Sequence, residues 1–388
     1  MVVNGSYVRL SGFYFFYFAL LGAMVPYWSL YLESLSFDPL TIGVLMAMLQ
    51  ASRIVAPNLW GWLADRTGQR VRIVRMGALV TCVVFSAIFW QQEAVGMALV
   101  MLGFSFFWNA VLPQFEVITM QSLGEQRDRY SQIRLWGSIG FVFTVAGVGA
   151  LLDFVSITWL PALMLVLMIA IWLNTLLIPD QPVQSAEGGN ESSFTKELFR
   201  PQVIVFFIVC FLVQLGHGPY YTFYSVLMQE IGFSRTEIGL LWALGVVAEV
   251  IVFMIMHRLI GFFGLRHLLL LGLLLCVVRW VLVALVPDSL PVMLFSQLLH
   301  AATFGFIHAV GIALVHQYFS TGSQGQGQAM FSSFGFGAGG TLGALMAGWI
   351  WDGYGAAPAF YAAAAFSAVA IVLALIWIRP EKLQQNAG

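Results

Sequence analysis

Twelve apolar runs, each long enough to cross a bilayer, constrain this chain more than any other feature. A spanning helix needs about 20 apolar residues. Such runs fall at about 8–32, 39–62, 71–91, 95–122, 131–152, 157–178, 201–229, 236–258, 265–286, 290–318, 326–351 and 357–379. The 388 residues are 60% hydrophobic and 9% charged, whereas a soluble domain is about one quarter charged. The expected fold is an all-α integral membrane protein of twelve transmembrane helices, with no room for a soluble domain. The one long polar gap, Asp180 to Arg200, is rich in Gln, Ser, Gly, Asn and Glu. It divides the runs into two six-helix bundles, 1–179 and 201–388, joined by a linker, 180–200.

Several function classes are excluded at this level. The net charge is −1 and no basic block is present, which argues against nucleic-acid binding. Cys82, Cys210 and Cys276 all lie inside apolar runs and read as small core residues, not as a disulfide set or metal site. No CxxC, HExxH, GxSxG or P-loop pattern occurs, so neither an enzyme nor a cofactor is expected. The N-terminal run, after Arg9, is too long for a signal segment and has no A-x-A site, so it reads as span 1.

Lys and Arg placement gives an orientation. With the N-terminus inside, the inner segments hold Arg9, Arg66, Arg70, Arg72, Arg75, Arg127, Arg129, Lys196, Arg200, Arg258, Arg266, Arg379 and Lys382, and the outer loops hold only Arg235. Both termini and the linker are expected in the cytoplasm. The glycosylation-like triplet Asn190-Glu191-Ser192 is discounted for that reason.

The halves repeat. Thr41-Ile42-Gly43-Val44-Leu45-Met46-Ala47 aligns with Glu237-Ile238-Gly239-Leu240-Leu241-Trp242-Ala243 at an offset of 196 residues. The same offset pairs Gly68 with Gly264, Arg70 with Arg266, and Arg53 with Glu249. Parallel six-helix repeats are built to rock against each other around a site at their interface. Charges inside the spans mark candidates for that site. Glu116 lies in span 4, Arg134 begins span 5 eighteen residues later, and Glu249 lies in span 8. A charge at mid-bilayer costs about 2.5–3.5 kcal/mol on insertion scales, so it is placed there for a partner, a cargo or a proton.

The loop Gly61-Trp62-Leu63-Ala64-Asp65-Arg66-Thr67-Gly68-Gln69-Arg70 resembles the signature of the major facilitator superfamily. It reads as a glycine-permitted turn in which Asp65 caps a helix end or pairs with an arginine, latching one conformation. Its repeat copy, His257 to Arg266, has Gly261 where Asp65 stands, so the second latch is expected to be weaker. Glu116, Arg134-Leu135-Trp136-Gly137, Arg279 and His300 are similar to the lactose-permease-like branch, whose proton-carrying acid after the histidine is Thr303 here. Across nearly the whole chain, Pro26-Tyr27-Trp28-Ser29, His217 before Tyr220-Tyr221, Leu241 to Val250 and Val277-Val278-Arg279-Trp280 resemble the 3-phenylpropionate permease type.

The resemblance puts spans 5 and 8 side by side across the halves, so Arg134 could pair with Glu249 or with Glu116. The alternative is a static buried ion pair. A guanidinium offers a carboxylate a two-pronged fork, and a cargo carboxylate on Arg134 would leave the acid free to hold a proton. Arg53 lines the cavity or ties span 2 to span 11. Arg279 and His300 form a functional pair or a link between spans 9 and 10, while His308 and His316 read as core or inner-end contacts. Gly216-His217-Gly218-Pro219 is expected to break span 7 and expose backbone to a cavity. Tyr14, Tyr17, Trp108, Asn109, Tyr220 and Tyr221 are candidate walls, and Tyr27, Trp28 and Tyr31 read as an interface belt. Gly335, Gly339 and Gly343, with Gly340, Ala344 and Gly348, read as close packing between moving bundles.

The function expected is proton-coupled symport of a small aromatic carboxylate by a monomer in a bacterial inner membrane, its partners being the cargo, protons and lipid. A sugar or nucleoside symporter is the first alternative. A drug antiporter is less favoured, since 137–153 has no proline for a Gly-Pro signature.

Overall fold

A computed structural model of the chain describes residues 2–126, 129–179 and 191–379. Arg127, Asn190, Lys382 and most of the linker lie outside the described residues. Those described form helices and turns, with no strand among them. Ten helical stretches are long and apolar enough to cross a membrane. We label α1 Val2–Ser34, α2 Pro39–Thr67, α3 Arg70–Trp90, α4 Ala94–Leu123, α5 Tyr130–Leu152, α6 Ile157–Leu176 and α7 Pro201–Glu230. The next stretch, Arg235–Leu285, is two helices, because Gly264 interrupts it at φ 73, ψ 161. They are α8 (235–263) and α9 (265–285). Then come α10 Leu290–Tyr318, α11 (324–354) and α12 Ala356–Trp377. The last crossing needed to reach twelve is α11, which two helix types divide into shorter pieces. A short helix, Glu191–Leu198, precedes α7.

Local chemistry sets the ends. Asp38 caps α2 by accepting from the Thr41 amide at 2.7 Å, with Pro39 in the first turn. Gly68 ends α2 at φ 65, a left-handed conformation that glycine takes without steric cost. Ser234 and Glu237 form a capping box at the start of α8. Both α10 and α11 contain a π-helical segment, Ala301–Phe306 and Phe331–Gly339. Such segments re-aim side chains and occur often at functional sites.

Two helix pairs make most of the contact between the halves, α2 with α11 and α5 with α8, and α1 also packs against α7. Each pair closes on glycine at the end far from the chain termini. A methyl on Gly43 would stand 2.6 Å from Gly348 Cα, and one on Gly348 would stand 2.8 Å from the Pro39 carbonyl. In the other pair, a methyl on Gly239 would stand 2.5 Å from the Val145 carbonyl, and one on Gly149 would strike the Arg235 carbonyl. The 196-residue offset that pairs Gly43 with Gly239 also pairs Pro39 with Arg235, so the repeat is visible in packing. Asp153 strengthens the second contact. It accepts from the amides of Arg235 (2.9 Å) and Thr236 (3.1 Å) at the N-terminus of α8.

Three expectations are corrected. Tyr27, Trp28 and Tyr31 are buried, not a lipid-facing belt; Trp28 packs against Tyr31 and Phe85, and the Tyr27 hydroxyl donates to the Val145 carbonyl at 2.7 Å and lies 3.4 Å from the Arg235 carbonyl of the other half. The glycines of α11 are two stripes with different partners. Gly340 and Gly348 face α2 across the halves, but Gly339 and Gly343 lie against the Phe211 and Leu215 carbonyls of α7, within the second half. Finally, α7 bends at His217 without opening. His217 N bonds Val213 O at 3.0 Å and Tyr221 N bonds His217 O at 3.0 Å, so little backbone is freed.

Candidate functional site

A cavity of about 300 Å³ lies between the halves. Helices α1, α2, α4 and α5 form one wall, and α7, α8, α10 and α11 the other. Its walls are largely aromatic and aliphatic, including Phe18, Phe104, Phe141, Trp242, Phe304 and Phe336. This is the size and character of a small-molecule site. Arg53, Arg134, Glu249, His300, Trp108, Asn109 and Tyr221 all line it. Arg53 and Glu249, which the repeat pairs, thus face one space.

Arg53 and Arg134 have no hydrogen-bond or ion-pair partner among the described residues. The Arg134 guanidinium instead lies 3.9 Å over the Phe18 ring and 5.7 Å from Tyr14, a contact that leaves its N–H edges free. Arg134 and Glu249 act on each other electrostatically without forming an ion pair. The expected Arg134–Glu116 contact is likewise not made. Glu116 lies off the cavity, 3.4 Å from the Tyr130 hydroxyl, in a polar knot where Tyr14 donates to Thr119 at 3.3 Å.

The opposite wall is wired. Glu249 Oε2 is 3.6 Å from His300 Nε2. On its other side, His300 Nδ1 is 2.9 Å from Arg279 Nη1. A guanidinium only donates, so Nδ1 must accept and the ring proton sits on Nε2, facing the carboxylate. Arg279 also donates to Thr303 Oγ1 (3.0 Å) and Gln297 Oε1 (3.4 Å) and lies 4.2 Å from the Tyr220 ring, whose hydroxyl donates to Gln297 at 2.9 Å. Arg279 is wholly buried and no carboxylate contacts it among the described residues.

Other candidates fall outside the cavity lining. His217 is buried behind it, its Nδ1 2.8 Å from the Val213 carbonyl and its ring edge-on to Trp280. Tyr17 forms a second layer, stacked on Trp108 at 3.9 Å. Asn109, at the cavity wall, also donates to Ser52 at 2.7 Å and ties α4 to α2. The signature loop is remote, at the arginine-rich end. There Asp65 pairs with Arg70, Arg70 donates to Gln114, Arg66 covers Trp62 at 5.3 Å, and Gly61 sits close to Gln114. In the repeat copy Arg266 donates to the Leu375 carbonyl at 2.9 Å and pairs with no acid among the described residues.

Sequence reading missed Gln50, Ser138, Trp242 and Gln297. Two of these had a signal: Gln50 and Gln297 each precede a singled-out residue, Arg53 and His300, by one helical turn.

The family model of the MFS_1 like family matches residues 7–362. A probable 3-phenylpropionic acid transporter of Escherichia coli (strain K12) is 30% identical over 78% of this chain and 80% of its own length. The maltose permease of Geobacillus stearothermophilus is 28% identical over 97% of this chain and 95% of its own. In three dimensions the crystal structure of the nucleoside transporter NupG superposes with a TM-score of 0.85, covering 97% of this chain and all of that one, at 19% identity, a likeness of fold alone. With long apolar helices in two halves among the described residues, a cavity between internal repeats and a family match over most of its length, the chain belongs to the MFS_1 like family: it is a membrane transporter of the major facilitator type, and not an enzyme.

Proposed function

We propose that the protein carries a small aromatic carboxylate together with a proton, by alternating access of the bundles 1–179 and 201–388. The observation that carries this reading is the cavity's charge: two guanidiniums without hydrogen-bond or ion-pair partners among the described residues and one carboxylate, among aromatic walls. An aromatic acid complements both features. Arg134 takes the carboxylate in a two-pronged hydrogen bond, and Trp242, Phe18 and Phe304 face the ring. Once the cargo has engaged Arg134, Glu249 loses the nearby cation that balances it and takes up a proton. His300, its tautomer fixed by Arg279, presents N–H to that carboxylate. The relative named for 3-phenylpropionic acid supports the same cargo class. We further propose a monomer in a bacterial inner membrane, with the arginine-rich end and both termini cytoplasmic and the Asp65–Arg70 loop acting as a latch.

The second reading, a sugar or nucleoside symporter, draws on the amides Gln50, Asn109 and Gln214 in the cavity and on the maltose permease relative. Uptake of labelled 3-phenylpropionate into proteoliposomes under an inward proton gradient decides between them. Accumulation that a protonophore abolishes supports the aromatic acid. No uptake of that acid, with gradient-driven uptake of maltose or a nucleoside, replaces it with the second reading.

A further inference from the structure

The two seams between the halves differ at the depth of the cavity. Along α2 and α11 the contact runs past it. At the end far from the chain termini Gly43 meets Gly348, where a methyl on Gly43 would stand 2.6 Å from Gly348 Cα. At cavity depth a methyl on Gly340 would stand 3.4 Å from Gln50 Cγ, and one on Gly337 would stand 2.9 Å from Ile54 Cγ1 and 3.1 Å from the Ile54 nitrogen. One turn nearer the termini, the Asn58 amide donates to Ser333 Oγ at 3.1 Å. From Gly43 to Asn58 is about 22 Å of helix at 1.5 Å per residue, so α2 and α11 touch on both sides of Arg53.

The repeat allows the other seam to be compared position by position. Gly348 of α11 and Gly149 of α5 face equivalent carbonyls, those of Pro39 and Arg235. Helices α5 and α11 therefore match at an offset of 348 less 149, or 199 residues, as α2 and α8 match at 196. The counterparts of Gly340, Gly337 and Ser333 are Phe141, Ser138 and Arg134, and that of Gln50 is Val246. All four of these counterparts line the cavity. Met254, the counterpart of Asn58, is exposed. Where glycine lets α11 touch α2, α5 thus carries a benzyl group and, nearer the termini, a guanidinium, both turned to open space. The hydrogen bonds between α5 and α8 that hold Asp153 lie at the far end, among exposed groups, and such bonds exchange for water at little net cost. A seam without side chains between its backbones lets one helix roll on the other while their axes stay together. We infer that the α2–α11 seam is the hinge of the molecule: it stays closed along its length while the halves part and close along α5 and α8. Cargo then enters and leaves between α5 and α8, past Arg134 and Glu249. This rests on alternating access and on no particular cargo.

Pulsed EPR on the full chain in proteoliposomes tests it, with one pair of spin labels across each seam at the end near the termini. Leu59→Cys with Ser332→Cys spans α2–α11, and Leu135→Cys with Met254→Cys spans α5–α8. All four positions are exposed, and Cys82, Cys210 and Cys276 are buried, away from the label. Val55→Cys with Ser332→Cys, and Ile139→Cys with Ile251→Cys, stand in for a pair that does not fold. Distances are read at acid and at alkaline pH, each with and without 3-phenylpropionate. The α5–α8 pair is expected to shift or to show a second distance between conditions, while the α2–α11 pair keeps one narrow distance in all of them. Movement of both pairs, or of the α2–α11 pair alone, overturns the hinge and leaves alternating access standing. No movement of either pair removes the hinge and alternating access together.

Discussion

Among the described residues, the first half of the molecule faces the cavity with arginines that form no hydrogen bond or ion pair, and the second half holds its arginine by both terminal nitrogens. Arg53 and Arg134 line the cavity with no hydrogen-bond or ion-pair partner among the described residues, while Arg279 bonds His300, Thr303 and Gln297 and lies over two aromatic rings. The same charge at membrane depth therefore has two uses. Inside a network it fixes neighbours, here the His300 tautomer. Left unmatched, it keeps its hydrogen-bonding capacity for something that arrives. A guanidinium kept without a partner in a low-dielectric cavity costs free energy, and that cost is offset only when an anion binds.

The sharpest way to break this contrast is Arg134→Gln. It should weaken binding of an aromatic acid about 100-fold, the worth of a charge-assisted pair, with no loss of thermal stability; Arg134→Lys should restore part of the affinity. Calorimetry beside a melting curve checks both halves, and unchanged affinity would move the cargo off Arg134. The next largest effect is on coupling. Glu249→Gln should bring accumulation down to the level seen without a gradient, while exchange of preloaded cargo continues; loss of both would make Glu249 part of cargo binding or of the structure. The wired arginine should behave in the opposite sense. Arg279→Met leaves His300 Nδ1, Thr303 and Gln297 without their donor and should cost about 2 kcal/mol of stability, read as a lower melting temperature that Arg134→Met does not share.

The smallest effect lies outside the membrane. Burial disfavours the Asp153 charge, but hydrogen bonds from the Thr236 hydroxyl and amide and the Arg235 amide together outweigh it and hold the carboxyl below the usual aspartate range. A lowered value stabilises the folded contact at pH above the ordinary aspartate value and loses that stabilisation as pH falls through the folded one. Melting curves should therefore show an acid-sensitive contribution of about 1 kcal/mol, the scale of a helix cap, that Asp153→Asn removes. Identical acid dependence in wild type and variant would discount the Asp153 contact between α5 and α8.

Much of the fold was legible. The runs, the repeat and the glycine-marked turn at Gly68 are all local features, and Gly264 takes a positive φ where the repeat copies Gly68. The cavity was partly legible, because charges in apolar runs are few and several of them line it. What stayed hidden was facing. These helices are apolar nearly all round, since lipid and protein neighbours reward the same side chains, so no periodic signal separates Tyr27, which is buried, from a residue in a lipid belt. His217 and Glu116 looked equivalent to Arg134 and Glu249 by the same logic, yet they turn away from the cavity.

By itself, the sequence determined which stretches are long and apolar enough to cross a membrane, where the chain turns at Gly68 and Gly264, and which residues carry charge inside those stretches. Each of these follows from hydrophobic length, glycine conformation and side-chain chemistry, which act within a few residues. Only the tertiary structure decided which charges have partners. Arg279 meets His300 across 21 residues and Tyr220 meets Gln297 across 77, on helices whose rotation is set by packing against neighbours. An arginine in a network and an arginine in waiting are the same letter until those helices are side by side.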